Sequence, residues 1–111
     1  MFKAMKYLYG VCLSKSTALI TDGRFSGTNN GCFVGHISPE AAEGGPLAIV
    51  QDGDEILIDV NEGRLELHVS GKEIARRYET LKMPEKHIPN GYLRLYAKTA
   101  TSADQGAIIK M

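Results

Sequence analysis

The chain has 111 residues, 43% of them hydrophobic and 23% charged, a balance typical of one folded globular domain and not of a disordered segment. Its 13 Lys and Arg residues cancel its 13 Asp and Glu residues and no basic run stands out, so no nucleic-acid partner is predicted. The apolar stretches are far shorter than the roughly 20 residues that cross a bilayer, and the N-terminus lacks a signal-peptide core, so we expect no membrane partner and a cytoplasmic location.

The first half of the chain alternates short apolar segments with glycine-rich loops. Apolar residues recur at helical spacing up to Gly10, which predicts an opening helix. Ser38 as N-cap, Pro39 at the first helical position and a glycine pair as terminator predict a second, very short helix. In chain order, the predicted elements are a helix over 1–9, a strand over 17–20, a loop over 21–31, a strand over 32–37, a helix over 38–44 and a strand over 46–50.

The second half begins with a predicted β-hairpin, which follows an Asp-Gly turn over residues 51–54. The strands of the hairpin are predicted over 55–60 and 65–69. In the latter, apolar and polar residues alternate, so that Leu65, Leu67 and Val69 are predicted to share one face.

Helices are predicted to close the domain, over residues 70–80 and 91–97, with an exposed connector between them. In the first of these helices, Arg76 and Arg77 are predicted to lie in solvent. In the second, three apolar side chains are predicted to point inward: Tyr92, Leu95 and Tyr96. With a last short strand over 106–109, the elements predict a single mixed α/β domain over residues 1–111 with five or six strands.

Residues 21–27, Thr-Asp-Gly-Arg-Phe-Ser-Gly, present a serine hydroxyl between glycines directly after an apolar run. Glycines let several backbone N–H groups converge and Arg24 adds positive charge, which suits a carboxylate or phosphate. Ser26 could act as a base only if its anion were stabilised by N–H donors, a cation or a metal. The alternative is an ordinary turn, in which Asp22 bonds to the backbone and Phe25 fills a gap in the core.

A second motif follows at residues 35–46, Gly-His-Ile-Ser-Pro-Glu-Ala-Ala-Glu-Gly-Gly-Pro. Together with residues 21–27 it resembles the C-terminal domain of the dihydroxy-acid and sugar-acid dehydratases. Asp-Gly-Asp at 52–54 and the stretches 92–96 and 101–107 add moderate support. The resemblance implies a barrel-like, three-layer β/β/α swivelling domain with mixed strands and short helices. It also implies a lyase that converts a 2,3-dihydroxy acid or sugar acid to a 2-keto acid.

For the site, the resemblance implies that Ser26 is the base that takes the proton from C2 of the substrate. The residues around it are implied to face the hydroxy-acid substrate: Asp22, Gly23, Arg24, Gly27 and Thr28. In this family an iron–sulfur cluster and Mg²⁺ act as Lewis acids on the C3 hydroxyl. Their ligands lie in an N-terminal domain and in a glutamate that would immediately precede Met1, so this chain is expected to bind no metal. Neither Cys12 nor Cys32 corresponds to a cluster ligand, and both are expected to be reduced.

The resemblance further implies partners, namely the N-terminal domain of the same or a companion chain and a homodimer or higher oligomer of the intact enzyme. The isolated chain is then expected to be inactive. If the N-terminal part is a separate subunit, exposed apolar residues of the first helix would form the interface: Phe2, Met5 and Leu8. The alternative function is a stand-alone, non-catalytic module that keeps the fold and binds a small anion or a partner protein.

Several further residues have structural interpretations. His36 is predicted to be buried and hydrogen-bonded, bracing the turn that follows it. Glu40 and Glu43 are predicted to favour the N-terminal half of their short helix through its dipole. Asp52, Asp54 and Asp59 lack calcium-loop spacing and are interpreted as turn residues.

Overall fold

Two pairs of strands and three α-helices make up the fold, as seen in a computed structural model that describes residues 1–27, 30–84 and 86–110. The described elements, in chain order, are α1 (Phe2–Gly10), β1 (Ala18–Ile20), β2 (Cys32–Val34), β3 (Ile56–Asp59), β4 (Arg64–Leu67), α2 (Gly71–Thr80) and α3 (Tyr92–Thr99). Three short 3₁₀ helices complete them, at Ala41–Glu43, Pro46–Ala48 and Ala103–Gln105. The α/β class is confirmed. The four described strands form two separate pairs and no closed barrel, so the barrel-like arrangement is not confirmed.

Strands β1 and β2 run parallel, and this direction positions the two sequence motifs. The pairing continues past the strand ends, because Thr21 N donates to Val34 O at 3.0 Å and Ile37 N donates to Thr21 O at 3.2 Å. Since parallel strands end at the same edge of a sheet, the loops that follow β1 and β2 leave from one edge. Strand β2 is shorter than the predicted 32–37.

Residues 38–50 differ from their prediction. Here Glu40, not Ser38, occupies the N-cap of a single 3₁₀ turn, and the Ser38–Pro39 peptide bond is cis. The strand predicted over 46–50 is wrong, because Pro46 begins a second 3₁₀ turn. Its ring presets the dihedral of a helical first position and offers no N–H to a strand ladder.

The predicted hairpin is present as antiparallel β3 and β4, with Ile56 opposite Leu67 and Ile58 opposite Leu65. The shared buried face is only partly confirmed. Leu67 and Val69 are half-buried, whereas Leu65 is exposed.

Helix α2 ends at Thr80 as predicted, but the solvent position predicted for Arg77 is wrong. Arg77 is 9% exposed and its guanidinium holds the Asp54 carboxylate with two hydrogen bonds of 2.5 and 2.9 Å. It also donates to Glu73 Oε1 at 2.9 Å and to the carbonyl of Ile49 at 3.1 Å. Hydrogen bonds from Arg77 lower the pKa of Asp54 to about 2. Those from Arg76 and then Arg77 lower the pKa of Glu73 to about 2.

Helix α3 does not bury the side chains predicted to point inward. Tyr92 is 69% exposed, and Leu95 and Tyr96 are exposed as well, because no other described element covers that face. The predicted final strand is reduced to one antiparallel bridge between Ala100 and Ile109.

The described core is small. Among the described hydrophobic side chains, Met5 and Ile49 are buried. Between the two sheets lies an apolar cavity of about 670 Å³. Apolar side chains from β1, β2, the hairpin and α2 line it, among them Ile20, Val34, Ile56, Leu67, Ile74 and Tyr78. None of the described helices has the length and apolar character needed to span a membrane.

Candidate functional site

Three hydrogen bonds hold the start of the loop over residues 21–27, which we call the glycine loop: the first lies within the loop, and the other two join it to the second motif. Gly23 N donates to Thr21 Oγ1 at 3.0 Å, and Gly23 O accepts from His36 N at 3.0 Å. The carboxylate of Asp22 accepts from Ala41 N at 2.8 Å, a contact that joins residues nineteen apart. Asp22 therefore positions the glycine loop against the second motif, which goes beyond the local turn bond of the alternative interpretation.

The carboxylate of Glu40 links the second motif to residues 101–107, which we call the C-terminal segment. Glu40 Oε2 accepts from Ser102 Oγ at 2.5 Å, and Glu40 Oε1 accepts from Ala103 N at 3.0 Å. The Ser102 hydroxyl and then the Ala103 N–H lower the pKa of Glu40. Glu40 thus accepts a hydrogen bond from the first N–H group of the 3₁₀ helix Ala103–Gln105, and it is also the N-cap residue of the 3₁₀ turn Ala41–Glu43.

Sequence analysis did not predict the contact of Glu40 with Ser102 and Ala103, because it related Glu40 only to the dipole of its own short helix. The available signal was that Glu40 and Ser102 both lie in stretches that carried the family resemblance. Nothing in the spacing indicated that the two stretches meet, because 62 positions separate the two residues.

A cavity of about 340 Å³ lies where the glycine loop, the second motif and the C-terminal segment meet, and we call it the motif cavity. Of the predicted substrate-binding residues, three line it: Asp22, Gly23 and Arg24. The second motif contributes polar groups from His36, Glu40 and Glu43, and the C-terminal segment contributes those of Thr101 and Ser102. Within the described part of the chain, Arg24 forms no ion pair, so its guanidinium can bind an anion.

Ser26 lies beyond the motif cavity, on the exposed part of the glycine loop. No residue in the described ranges forms a hydrogen bond with its hydroxyl. Gly27 has a φ of 89°, and a Cβ there would lie 3.3 Å from the Phe2 ring, so this end of the loop runs against α1. Thr28 lies outside the described residues.

Phe25 anchors the middle of the glycine loop. Its ring is half-buried and meets Phe33 of β2 edge-to-face, with 6.0 Å between ring centroids. This contact agrees with the interpretation of Phe25 as a core anchor, and it holds the backbone on both sides of Arg24 and Ser26. Edge-to-face ring pairs contribute about 1 kcal/mol beyond their buried area.

His36 is exposed, so the prediction of a buried histidine is wrong. Its φ of 57° is left-handed, a conformation that costs a residue other than glycine of order 1–3 kcal/mol. The backbone bond to Gly23 O holds it there, and its side chain lines both the motif cavity and the apolar cavity. Ser38 Oγ donates to the His36 carbonyl at 3.2 Å.

The described residues do not fit an iron–sulfur cluster or a metal ion. A cluster typically takes three or four thiolates, whereas this chain has Cys12, which is exposed, and Cys32, which is half-buried. No three His, Cys, Asp or Glu side chains of the described ranges lie together as a metal site. We therefore assign no chemical step through such a group to this chain.

Comparison with known proteins decides the family. The family described as "Dihydroxy-acid/6-phosphogluconate dehydratase C-terminal" matches residues 1–107. This chain belongs to that family. The resemblance inferred from residues 21–27 and 35–46 is thereby confirmed, and the match contains the whole lining of the motif cavity.

Curated relatives in this family are dihydroxy-acid dehydratases. The one from Aquifex aeolicus is 53% identical over 103 residues, which is 93% of this chain and 19% of the relative. The one from Thermodesulfovibrio yellowstonii is 52% identical over 101 residues, 91% of this chain and 18% of the relative. The chain thus spans about a fifth of the length of the curated relatives it matches.

Proposed function

We propose that this chain is the C-terminal domain of a dihydroxy-acid dehydratase, a single domain over residues 1–111 that supplies the base and one wall of the substrate pocket. The observation that carries the proposal is that the glycine loop, the second motif and the C-terminal segment meet around one cavity, the motif cavity. Two carboxylates join these segments. Asp22 accepts a hydrogen bond from Ala41 N, and Glu40 accepts hydrogen bonds from Ser102 Oγ and Ala103 N. The cavity opens at the edge where parallel strands β1 and β2 end, where α/β folds commonly bind ligands.

In the proposed reaction, Arg24 attracts the carboxylate of a 2,3-dihydroxy acid, since it is the glycine-loop cation and lines the motif cavity. The Ser26 oxygen takes the proton from C2. The C3 hydroxyl leaves as hydroxide while the C2–C3 double bond forms, and it takes up the proton held by Ser26 to become water. The resulting enol tautomerises to the 2-keto acid. Because a neutral serine is a weak base, Ser26 must ionise, and Arg24 together with loop N–H groups favours that anion.

The exposure of Ser26 fits a site that is completed by another part of the protein. In the proposed enzyme, the N-terminal domain covers the glycine loop and carries the iron–sulfur cluster and Mg²⁺. This chain alone is then inactive, and the intact enzyme forms a homodimer or higher oligomer. A catalytic role for an exposed loop serine requires such a cover, since electrostatic stabilisation is strong only where water is excluded.

The decisive test replaces Ser26 with alanine in the intact protein that carries this chain. Turnover of a 2,3-dihydroxy acid should fall by about 10³-fold or more, because removal of a base costs on the order of 10²–10⁴-fold or higher. The substrate dissociation constant should change little, since Arg24 and the motif cavity remain. Formation of the 2-keto acid and binding of a non-reacting substrate analogue are the two measurements.

Ser16→Ala provides the matched control, because Ser16 is an exposed loop serine whose hydroxyl donates to the Leu13 carbonyl at 3.3 Å and to no other residue of the described ranges. Its turnover should stay within about twofold of the unsubstituted protein, as for most surface substitutions. Full turnover in Ser26→Ala would remove Ser26 from the reaction. Loss of turnover in both Ser26→Ala and Ser16→Ala would indicate that misfolding, and not removal of the base, causes the loss.

A further inference from the structure

A second cavity of about 490 Å³ adjoins the motif cavity and carries a concentrated positive charge. Four basic residues line it, together with Ile88 and Ala97: Lys86, His87, Arg94 and Lys98. We call it the basic cavity. The two cavities share Lys86, Ile88 and Ala97 along their common wall.

The charge in the basic cavity has no counterpart in the described part of the chain. None of its lining residues is acidic, and Lys86, Arg94 and Lys98 form no ion pair with any described residue. Arg94 donates at 2.6 Å to Asn90 Oδ1, a neutral acceptor. By contrast, three of the other four arginines, Arg64, Arg76 and Arg77, pair with carboxylates, and the fourth, Arg24, lines the motif cavity.

The two helical cations are placed where they repel each other. Arg94 and Lys98 are four residues apart on α3, and like charges at this spacing destabilise a helix by a few tenths of a kcal/mol. The helix dipole favours Lys98 in the last turn, but it does not account for Arg94 or for the approach of Lys86 from the connector. A bound anion would relieve this repulsion.

The balanced net charge of the chain conceals this local excess. Residues 82–98 contain four Lys and Arg residues and a single acidic residue, Glu85, which lies outside the described residues. The connector and α3 thus contribute their charges to one cavity from two separate segments. A guanidinium and two ammonium groups around one opening are suited to phosphate, sulfate or carboxylate oxygens.

We propose that the basic cavity is a binding site for a small anionic molecule that carries a phosphate, sulfate or carboxylate group. Arg94 provides the planar donor pair, and Lys86 and Lys98 provide point charges on either side. The site is separate from the glycine loop, since Ser26, Asp22 and Arg24 are absent from its lining. It therefore does not depend on the proposed dehydratase reaction.

The experiment measures binding of inorganic phosphate to the intact protein that carries this chain, by calorimetry and by thermal melting. Ionic strength is held constant with chloride, so that general screening does not contribute. The unsubstituted protein should show saturable binding and a melting temperature that rises with phosphate. The double variant Arg94→Gln, Lys98→Gln should bind phosphate at least about tenfold more weakly, because it loses two charged hydrogen-bond donors.

Lys72→Gln is the matched control, since Lys72 is an exposed lysine of α2 outside both cavities. Its phosphate affinity should stay within about twofold of the unsubstituted protein. Without phosphate, the double variant should melt no lower than the unsubstituted protein, because the repulsion is removed, and this result shows that it is folded.

Two outcomes would overturn the proposal. One is the absence of saturable phosphate binding by the unsubstituted protein, which would mean that the cations are neutralised by another part of the protein. The other is an equal loss of phosphate affinity in the double variant and in Lys72→Gln. Neither outcome bears on Ser26, which is tested by turnover.

Discussion

Individual charged residues decide how the segments of this chain are joined. Arg77 connects α2 to the turn that holds Asp54, and Asp22 and Glu40 connect the three motifs around the motif cavity. Asp54 and Glu40 each accept hydrogen bonds from more than one donor, which is how partly buried charges are tolerated. The candidate site therefore depends on a few long-range polar contacts in addition to its small apolar core.

Arg77→Met should destabilise the chain strongly, because it leaves the buried Asp54 carboxylate without its guanidinium partner. We expect the melting temperature at pH 7 to fall by roughly 10 °C or more. Arg76→Met is the control, since Arg76 is exposed and pairs with Glu73 at the surface, and its melting temperature should fall by about 2 °C or less. Similar shifts in both variants would show that burial of Arg77 contributes little.

The variant Arg77→Met should also change how the stability of the chain depends on pH. The pKa values of Asp54 and Glu73 are lowered to about 2 in the folded chain, so their stabilisation is complete above their ordinary values and is lost as the pH falls toward 2. The urea midpoint of the unsubstituted chain should therefore decrease from pH 5 to pH 2. In Arg77→Met this decrease should be shallower, because Asp54 regains an ordinary pKa.

At the scale of elements, two short 3₁₀ turns take the place of the helix predicted over 38–44 and the strand predicted over 46–50. The second motif folds into two 3₁₀ turns joined at Gly45, where the backbone of Pro39 and Glu40 comes so close that no side chain fits. This close approach sets the position of Ala41 N and Glu40, and thus of the bonds to Asp22 and Ser102. The turn is consequently part of the framework of the site.

Gly45→Ala should disrupt this turn, because its Cβ would lie 1.8 Å from the Pro39 carbonyl oxygen and 2.9 Å from that of Glu40. We expect a loss of about 3 kcal/mol in the free energy of unfolding, at the upper end for overpacking. Gly71→Ala at the start of α2 meets no atom within 4 Å and should be neutral or stabilising by about 0.5 kcal/mol. Urea unfolding of both variants is the measurement, and equal stability would contradict the close packing at Gly45.

At the scale of the whole molecule, large apolar side chains remain exposed on α1 and α3. Tyr7 and Phe2 lie exposed on the first helix, and Tyr92 and Leu93 on the last. Met5, which sequence analysis placed in an interface with Phe2 and Leu8, is instead buried within the chain. The relatives are about five times longer, and under the proposed function the N-terminal domain of the enzyme would cover these faces.

Leu93→Glu tests this cover in the intact protein. Leu93 is 68% exposed in this chain, so a charge there should be harmless unless another part of the protein buries it. We expect the melting temperature of the intact protein to fall by roughly 5 °C or more. Val60→Glu is the control, since Val60 is 82% exposed beside a hairpin turn, and its melting temperature should hardly change. Equal effects would show that α3 faces solvent.

The local elements of the fold were largely predictable from the sequence. The hairpin β3–β4, helix α2 and the strands β1 and β2 follow from periodicity and glycine placement, which act over a few residues, whereas the parallel pairing of β1 with β2 was not predicted. Prediction failed for the strand over 46–50 and, in α3, for the burial of its apolar side chains, although the helix itself is present. An apolar run does not distinguish a strand from a 3₁₀ turn, and an amphipathic helix does not reveal whether its apolar face is covered by its own chain.

The sequence by itself determined the family and the motif that contains Ser26, because both reside in contiguous residues such as 21–27 and 35–46. Only the tertiary structure revealed that Glu40 meets Ser102 and that Arg77 meets Asp54. It also assembled the basic cavity from two segments of an electrically balanced chain. These contacts join residues far apart in the chain, and no local pattern encodes which distant donor a carboxylate will find once the backbone has folded.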